Sequence, residues 1–149
     1  MKLPYIKAKK LYSEVWLKGY YLYDERTRRH SIVQTNHDDF KIIGINPATI
    51  SNYTDFDANS RKEIYENDII RITDLTMRES FKAFKKGSEL VDNLVTRTYL
   101  VFWNRTKWSV KLLSKDLIGQ RDIIFDFPTE NVKYEVIGNR FDNPELLVN

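Results

Sequence analysis

Thr98-Tyr99-Leu100-Val101-Phe102-Trp103, then Asn104-Arg105-Thr106-Lys107, then Trp108-Ser109-Val110-Lys111-Leu112 reads as a β-hairpin. Aromatic and β-branched residues suit a pleated surface, and the polar tetrad between the two runs suits a turn. Tyr99, Val101 and Trp103 fall on one side of the first strand. Trp108, Val110 and Leu112 alternate with Ser109 and Lys111 on the second, so the pattern predicts one buried face and one wet face. Upstream, Ile64-Tyr65-Glu66-Asn67-Asp68-Ile69-Ile70-Arg71-Ile72 predicts two short strands bent at Asn67-Asp68. Downstream, Lys133-Tyr134-Glu135-Val136-Ile137-Gly138 is a last strand before the closing stretch, residues 139–147.

The same texture extends toward the N-terminus. Residues 16–23 form an aromatic strand, residues 24–30 a charged turn, and Ser31-Ile32-Val33-Gln34 the partner strand. Ile42-Ile43-Gly44-Ile45 is a further apolar run ended by Asn46-Pro47, and residues 51–62 are a polar stretch. Two helical segments are predicted. Met77, Phe81 and Phe84 recur at helical spacing within residues 74–86, ahead of Gly87; a single turn at 144–147 has Pro144 at its first position and Asn143 as cap. Many short strands with one or two short helices predict a mainly β protein, a small barrel-like or folded sheet.

The chain has 149 residues, enough for a single domain over 1–149, with residues 1–14 as a basic arm and residues 73–96 as a basic insertion. Hydrophobic residues make up 42% and charged residues 30%, a balance that argues against disorder, and no apolar run is long enough to span a bilayer. The absence of cysteine excludes disulfides, thiol catalysis and Cys-based metal centres. The first residues lack the apolar stretch of a secretory signal, so a cytoplasmic location is expected.

Net charge is +3, unevenly spread. Residues 1–30 hold eight basic side chains against three acidic ones, whereas from Asp122 onward acidic residues prevail. Lys7, Lys9, Lys10 and Lys18 interleave with Tyr5, Tyr12, Trp16, Tyr20 and Tyr21, followed by Arg26, Arg28 and Arg29 in the predicted turn. Lys and Arg can neutralise phosphates while exposed rings stack on bases. Arg78, Lys82, Lys85 and Lys86 form a second basic patch. The candidate nucleic-acid site is therefore Lys9, Lys10, Arg26, Arg28, Arg29, Arg78, Lys82, Lys85 and Lys86. The competing reading makes the rings core strand residues and the charges a solvated face.

Other chemistry is weaker. Asp55, Asp57, Asn59 and Glu66 have the spacing of a calcium loop, but Ser60 stands where that loop needs glycine and a strand follows, so a polar turn is the better reading. His30 and His37-Asp38-Asp39 match no metal-ligand spacing. The five glycines are isolated and no serine lies in a nucleophile elbow. The expectation is a non-enzymatic protein with no cofactor, no metal and no catalytic residues.

Three ordered stretches carry a resemblance: Asn46-Pro47-Ala48-Thr49-Ile50-Ser51-Asn52-Tyr53-Thr54; Asp57-Ala58-Asn59-Ser60-Arg61-Lys62-Glu63-Ile64-Tyr65-Glu66-Asn67-Asp68-Ile69-Ile70; and Tyr134-Glu135-Val136-Ile137-Gly138-Asn139-Arg140-Phe141-Asp142-Asn143-Pro144-Glu145-Leu146-Leu147. Together they resemble the YopX family of phage and prophage proteins. Ser60 and Asn67 stand where that family has glycine; Asn tolerates the left-handed region, and Ser60 implies a looser loop. The resemblance implies a β-rich, SH3-like fold, the cytoplasm of a bacterial host, and self-association. It supplies no catalytic residues. Its motif residues read as structural: Ile64, Ile69 and Ile72 as core, Asp68 as a turn acceptor, and Asn139, Asn143 and Pro144 as shaping the chain end. The first functional expectation is DNA binding through a basic surface with little sequence specificity. The alternative is a module that binds a phage or host protein through an edge strand or the tail at 144–147.

Overall fold

A computed structural model describes residues 4–74, 95–113, 124–127 and 132–147. The protein is mainly β. Its strands are β1 (Tyr5–Lys9), β2 (Trp16–Asp24), β3 (Arg29–Asn36), β4 (Asp39–Gly44), β5 (Ser51–Asp57), β6 (Glu63–Tyr65), β7 (Asp68–Asp74), β8 (Val95–Asn104), β9 (Lys107–Leu113), β10 (Ile124–Asp126) and β11 (Val132–Asn139). They form a six-stranded sheet, order β4-β3-β2-β1-β5-β6, and a five-stranded sheet, order β10-β9-β8-β7-β11; one of the sheets curls into a half-barrel. Two 3-10 turns, Pro47–Thr49 and Pro144–Leu146, are the helical elements among the described residues. None is long and apolar enough to cross a membrane. The helix expected over 74–86 falls outside the described residues apart from Asp74, which ends β7.

The chain divides into two compact units, Met1–Asp55 and Phe56–Asn149, each with its own core. In the first, Ile6, Ala8, Ile32 and Ile45 are buried, with Leu17, Tyr21 and Ile50 packed against them. The expectation of a basic arm over 1–14 fails here, because β1 lies between β2 and β5 and buries Ile6 and Ala8. Ile6-Lys7-Ala8-Lys9 alternates apolar and basic residues, which is the period of a half-buried strand. Gly19 lets β2 approach β3, since a Cβ there would stand 2.6 Å from the Ile32 side chain and from the Val33 carbonyl.

In the second unit Ala58, Ile64, Ile70, Ile72, Val101, Val110 and Phe127 form the core. Phe56 stacks on Phe127 at 4.7 Å, and Tyr134 meets Phe127 at 5.3 Å. The hairpin of β8 and β9 has the expected pairing, Val101 opposite Val110 and Trp103 opposite Trp108. Its second face is not wet, however: Leu100 and Ser109 are buried there. Leu100 lies between Ile69 of β7 and Lys111 of β9, and Ser109 between Phe102 of β8 and Asp126 of β10. The unbroken apolar run of residues 99–103 carried that signal, since strands covered on both faces do not alternate.

The polar stretch at 51–62 also differs from expectation. Residues 51–57 form β5 and bury Ser51 and Thr54, with Ser51 Oγ donating to the Thr49 carbonyl at 3.1 Å. In the following loop the left-handed residue is Arg61 (φ 67°), not Ser60; Ala58 and Lys62 close the turn through a 2.7 Å backbone bond. The ends of the expected insertion meet: Thr73 pairs with Thr96 across β7 and β8, their hydroxyls 3.0 Å apart, and residues 75–94 lie outside the described part.

The remaining motif residues behave as scaffolding. Asn67 takes the left-handed bend (φ 71°), and the buried Asp68 accepts the Tyr65 N–H through Oδ2 at 2.8 Å. Ile64, Ile69 and Ile72 are buried. At the chain end Asn139 Oδ1 accepts the N–H groups of Phe141 and Asp142, both at 2.9 Å, while Asn143 Oδ1 accepts the Asn139 N–H at 3.2 Å. Asn143 therefore does not cap the 3-10 turn with its side chain, as expected from sequence, because that oxygen is turned back to β11. Gly138 is required by the same knot, for a Cβ would come within 2.4 Å of Asn143 Oδ1.

Candidate nucleic-acid interface

Cross-strand partners share a face of a sheet. Around β2 one face is the core of the first unit. On the other, the registers align Tyr5 with Tyr20, Tyr20 with Val33, and Val33 with Ile42, a row across four strands. Tyr20 and Ile42 are exposed. Tyr5 meets Tyr20 edge to face at 5.4 Å and Tyr53 at 6.2 Å, so neighbouring rings hold its plane in place.

Beside the row Lys7 lies directly opposite Lys18, and Lys7 Nζ sits 5.0 Å from the Trp16 ring centroid. Beyond Leu22 and Ser31 on the opposite flank, Arg29 pairs with Asp24 in register. Phe40, 62% exposed, extends the face on β4 opposite Thr35. Tyr5, Tyr20, Phe40, Lys18, Lys41 and Gln34 are among the residues that line a shallow concavity of about 470 Å³ here. A second, of about 290 Å³, lies along Leu22, Arg29 and Ile42. The two carboxylates near the rim are held in turns: Asp24 accepts the Arg26 N–H at 2.9 Å and Asp39 the Phe40 N–H at 2.8 Å.

The sequence-derived candidates divide accordingly. Arg26 and Arg28 are exposed at the tip of the β2–β3 hairpin, where Arg28 has φ 56°, and Arg29 begins β3 beside them. Lys10 is exposed at the end of β1, bridged to Ile45. Lys9 leaves the candidate set. It is 8% exposed, its ammonium is paired with Glu14, and it lies over the Trp16 ring at 5.5 Å, so its charge is already neutralised. Arg78, Lys82, Lys85 and Lys86 lie outside the described residues. Sequence reasoning missed Phe40 and Ile42. The signal was the period-two pattern of Asp39-Phe40-Lys41-Ile42, which marks a strand with one face.

The rejected sites are accounted for by their partners. Tyr21, on the core face, shares a 2.6 Å hydrogen bond with His30 Nδ1; burial, and secondarily Tyr23, raise its phenol pKa above the ordinary value. His30 and His37 fall at opposite ends of β3. Asn59 Oδ1, one oxygen of the calcium-like loop, accepts the Tyr134 N–H at 2.8 Å.

Fold and face together define a two-sheet β protein that presents rings and cations on one open sheet surface. The chain belongs to the YopX protein family, whose model matches residues 6–148. A comparison with curated proteins finds no match.

Proposed function

We propose that this is a non-enzymatic binding protein, derived from a phage or prophage, that contacts DNA in the bacterial cytoplasm through the exposed face of the first sheet and the adjoining β2–β3 hairpin tip. The observation that carries the reading is the exposed cluster of Arg26, Arg28 and Arg29 at the β2–β3 hairpin, on the same sheet as the exposed rings of Tyr20 and Phe40. Exposed cations next to exposed rings suit a polyanion whose bases can stack. These arginines stand at one end of that surface, and Lys18 lies beside Tyr20 on it. Contacts of this kind read phosphate more than base identity, so sequence specificity is low.

Titration of labelled DNA at two salt concentrations tests the proposal. Binding is expected to weaken as salt rises. The double charge reversal Arg26→Glu, Arg28→Glu should weaken it further and flatten the salt dependence, by roughly 0.7–0.9 in log–log slope for each phosphate that is no longer neutralised. Unchanged affinity in that variant would remove the hairpin tip from the site. No binding even at low salt would overturn the DNA reading.

A second reading has its own observation. β4 is an edge strand with Phe40 and Ile42 exposed, a surface that a strand from a phage protein, a host protein or another copy could extend. Such binding would respond little to salt.

A further inference from the structure

We infer that the exposed face of the first sheet takes single-stranded DNA, with unpaired bases stacked on Tyr20 and Phe40. The inference rests on the DNA reading above and narrows its substrate. The row Tyr5, Tyr20, Val33, Ile42 crosses four neighbouring strands, roughly 4.8 Å apart, and forms an apolar track across the sheet. Cations flank the track on both sides: Lys7 opposite Lys18 on one and, beyond Leu22 and Ser31, Arg29 opposite Asp24 on the other. A strand lying along it has its bases on the rings and its phosphates within reach of those side chains.

A duplex cannot use this arrangement. Its base faces are stacked inside the helix, so flat rings on an open sheet meet only sugar and phosphate. Ring presentation is also prepared in advance: Tyr20 is propped by Tyr5 at 5.4 Å, and Phe40 is fixed in a strand paired along its length with β3. Gln34 and Asn36 also line the concavity of about 470 Å³, the Gln34 amide donating to the Lys18 carbonyl at 2.9 Å. Asp39, at its rim, accepts the N–H of Phe40.

Fluorescence anisotropy with labelled oligothymidylate and a labelled duplex of equal length, in the same low-salt buffer, decides the matter. The single strand should bind at least about tenfold more tightly than the duplex. Tyr20→Ala and Phe40→Ala should each lose about tenfold or more in single-strand affinity, the loss of one stacked base, while Tyr20→Phe retains it. Phe40 supports no core, so its variant keeps the test valid even if Tyr20→Ala folds poorly. Equal or tighter duplex binding would overturn this inference and leave the DNA reading standing. A single-strand preference indifferent to both alanines would overturn the face assignment. Failure to bind either probe would overturn both readings.

Discussion

The two units use similar side chains in different proportions. The second packs Phe56, Phe127, Tyr134, Tyr99 and Trp108 around Ile64, Ile70 and Val101, and leaves Trp103, Ile124 and Phe125 exposed on β8 and β10. The first buries a smaller set and leaves Tyr20, Leu22, Phe40 and Ile42 exposed. Apolar residues held outward contribute little to folding, so the contrast lies in how large a core each unit builds, not in whether it exposes rings.

Truncating the cores tests that contrast most strongly. Ile64→Ala and Ile70→Ala should each cost about 2–5 kcal/mol in chemical denaturation, and Ile32→Ala in the first unit should fall in the same range. A much smaller loss at Ile32 would mean that the smaller core is loosely packed and that the division is one of rigidity as well as of size.

A smaller effect of opposite sign is expected at Tyr134. Its hydroxyl is buried and finds no hydrogen-bond partner among the described residues, and burial pushes its pKa up to about 12 from the ordinary 10.0. The folded protein thus keeps a proton that the unfolded chain releases. This contribution is fully present below pH 10.0, where both states are protonated, and is lost as pH rises from 10.0 toward about 12. Tyr134→Phe should remove that alkaline loss and be neutral or stabilising by about 1 kcal/mol near neutral pH, measured by denaturation across a pH series. A destabilised variant would show that the hydroxyl has a structural role.

The smallest effect belongs to the exposed face. Phe40→Ala should change stability by no more than about 0.5 kcal/mol in the same denaturation experiment. A larger loss would make Phe40 part of a core and dissolve the contrast.

Much of this architecture is legible in sequence because local chemistry and tertiary demand agree. The β8–β9 hairpin, the bend at Asn67-Asp68 and β11 all follow from strand-forming runs separated by residues suited to turns. Where they diverge, long-range pairing is responsible. Nothing local marks Ser51-Asn52-Tyr53-Thr54 as a strand; its place beside β1 supplies the missing partners. Residues 5–9 were hidden for the opposite reason, since their lysines read as a solvated arm while Ile6 and Ala8 face the core. The candidate face was half legible. Basic and aromatic residues alternate visibly from Tyr5 to Tyr20, but their division between two faces depends on register, and Lys9 is removed by Glu14 and Trp16, which no charge count reveals.

Arg28, Arg61 and Arg105 all adopt left-handed backbone conformations, with φ of 56°, 67° and 59°. Glycine would occupy such turn positions without the strain that a side chain brings, of the order of 1–2 kcal/mol each. Each of these hairpin or loop tips therefore carries a permanent positive charge on a backbone that resists it. Exchanging Arg28 for glycine would relieve strain and erase charge in one step, so thermal resistance and hold on a polyanion would move in opposite directions. At that turn, the backbone strain and the positive charge belong to a single residue.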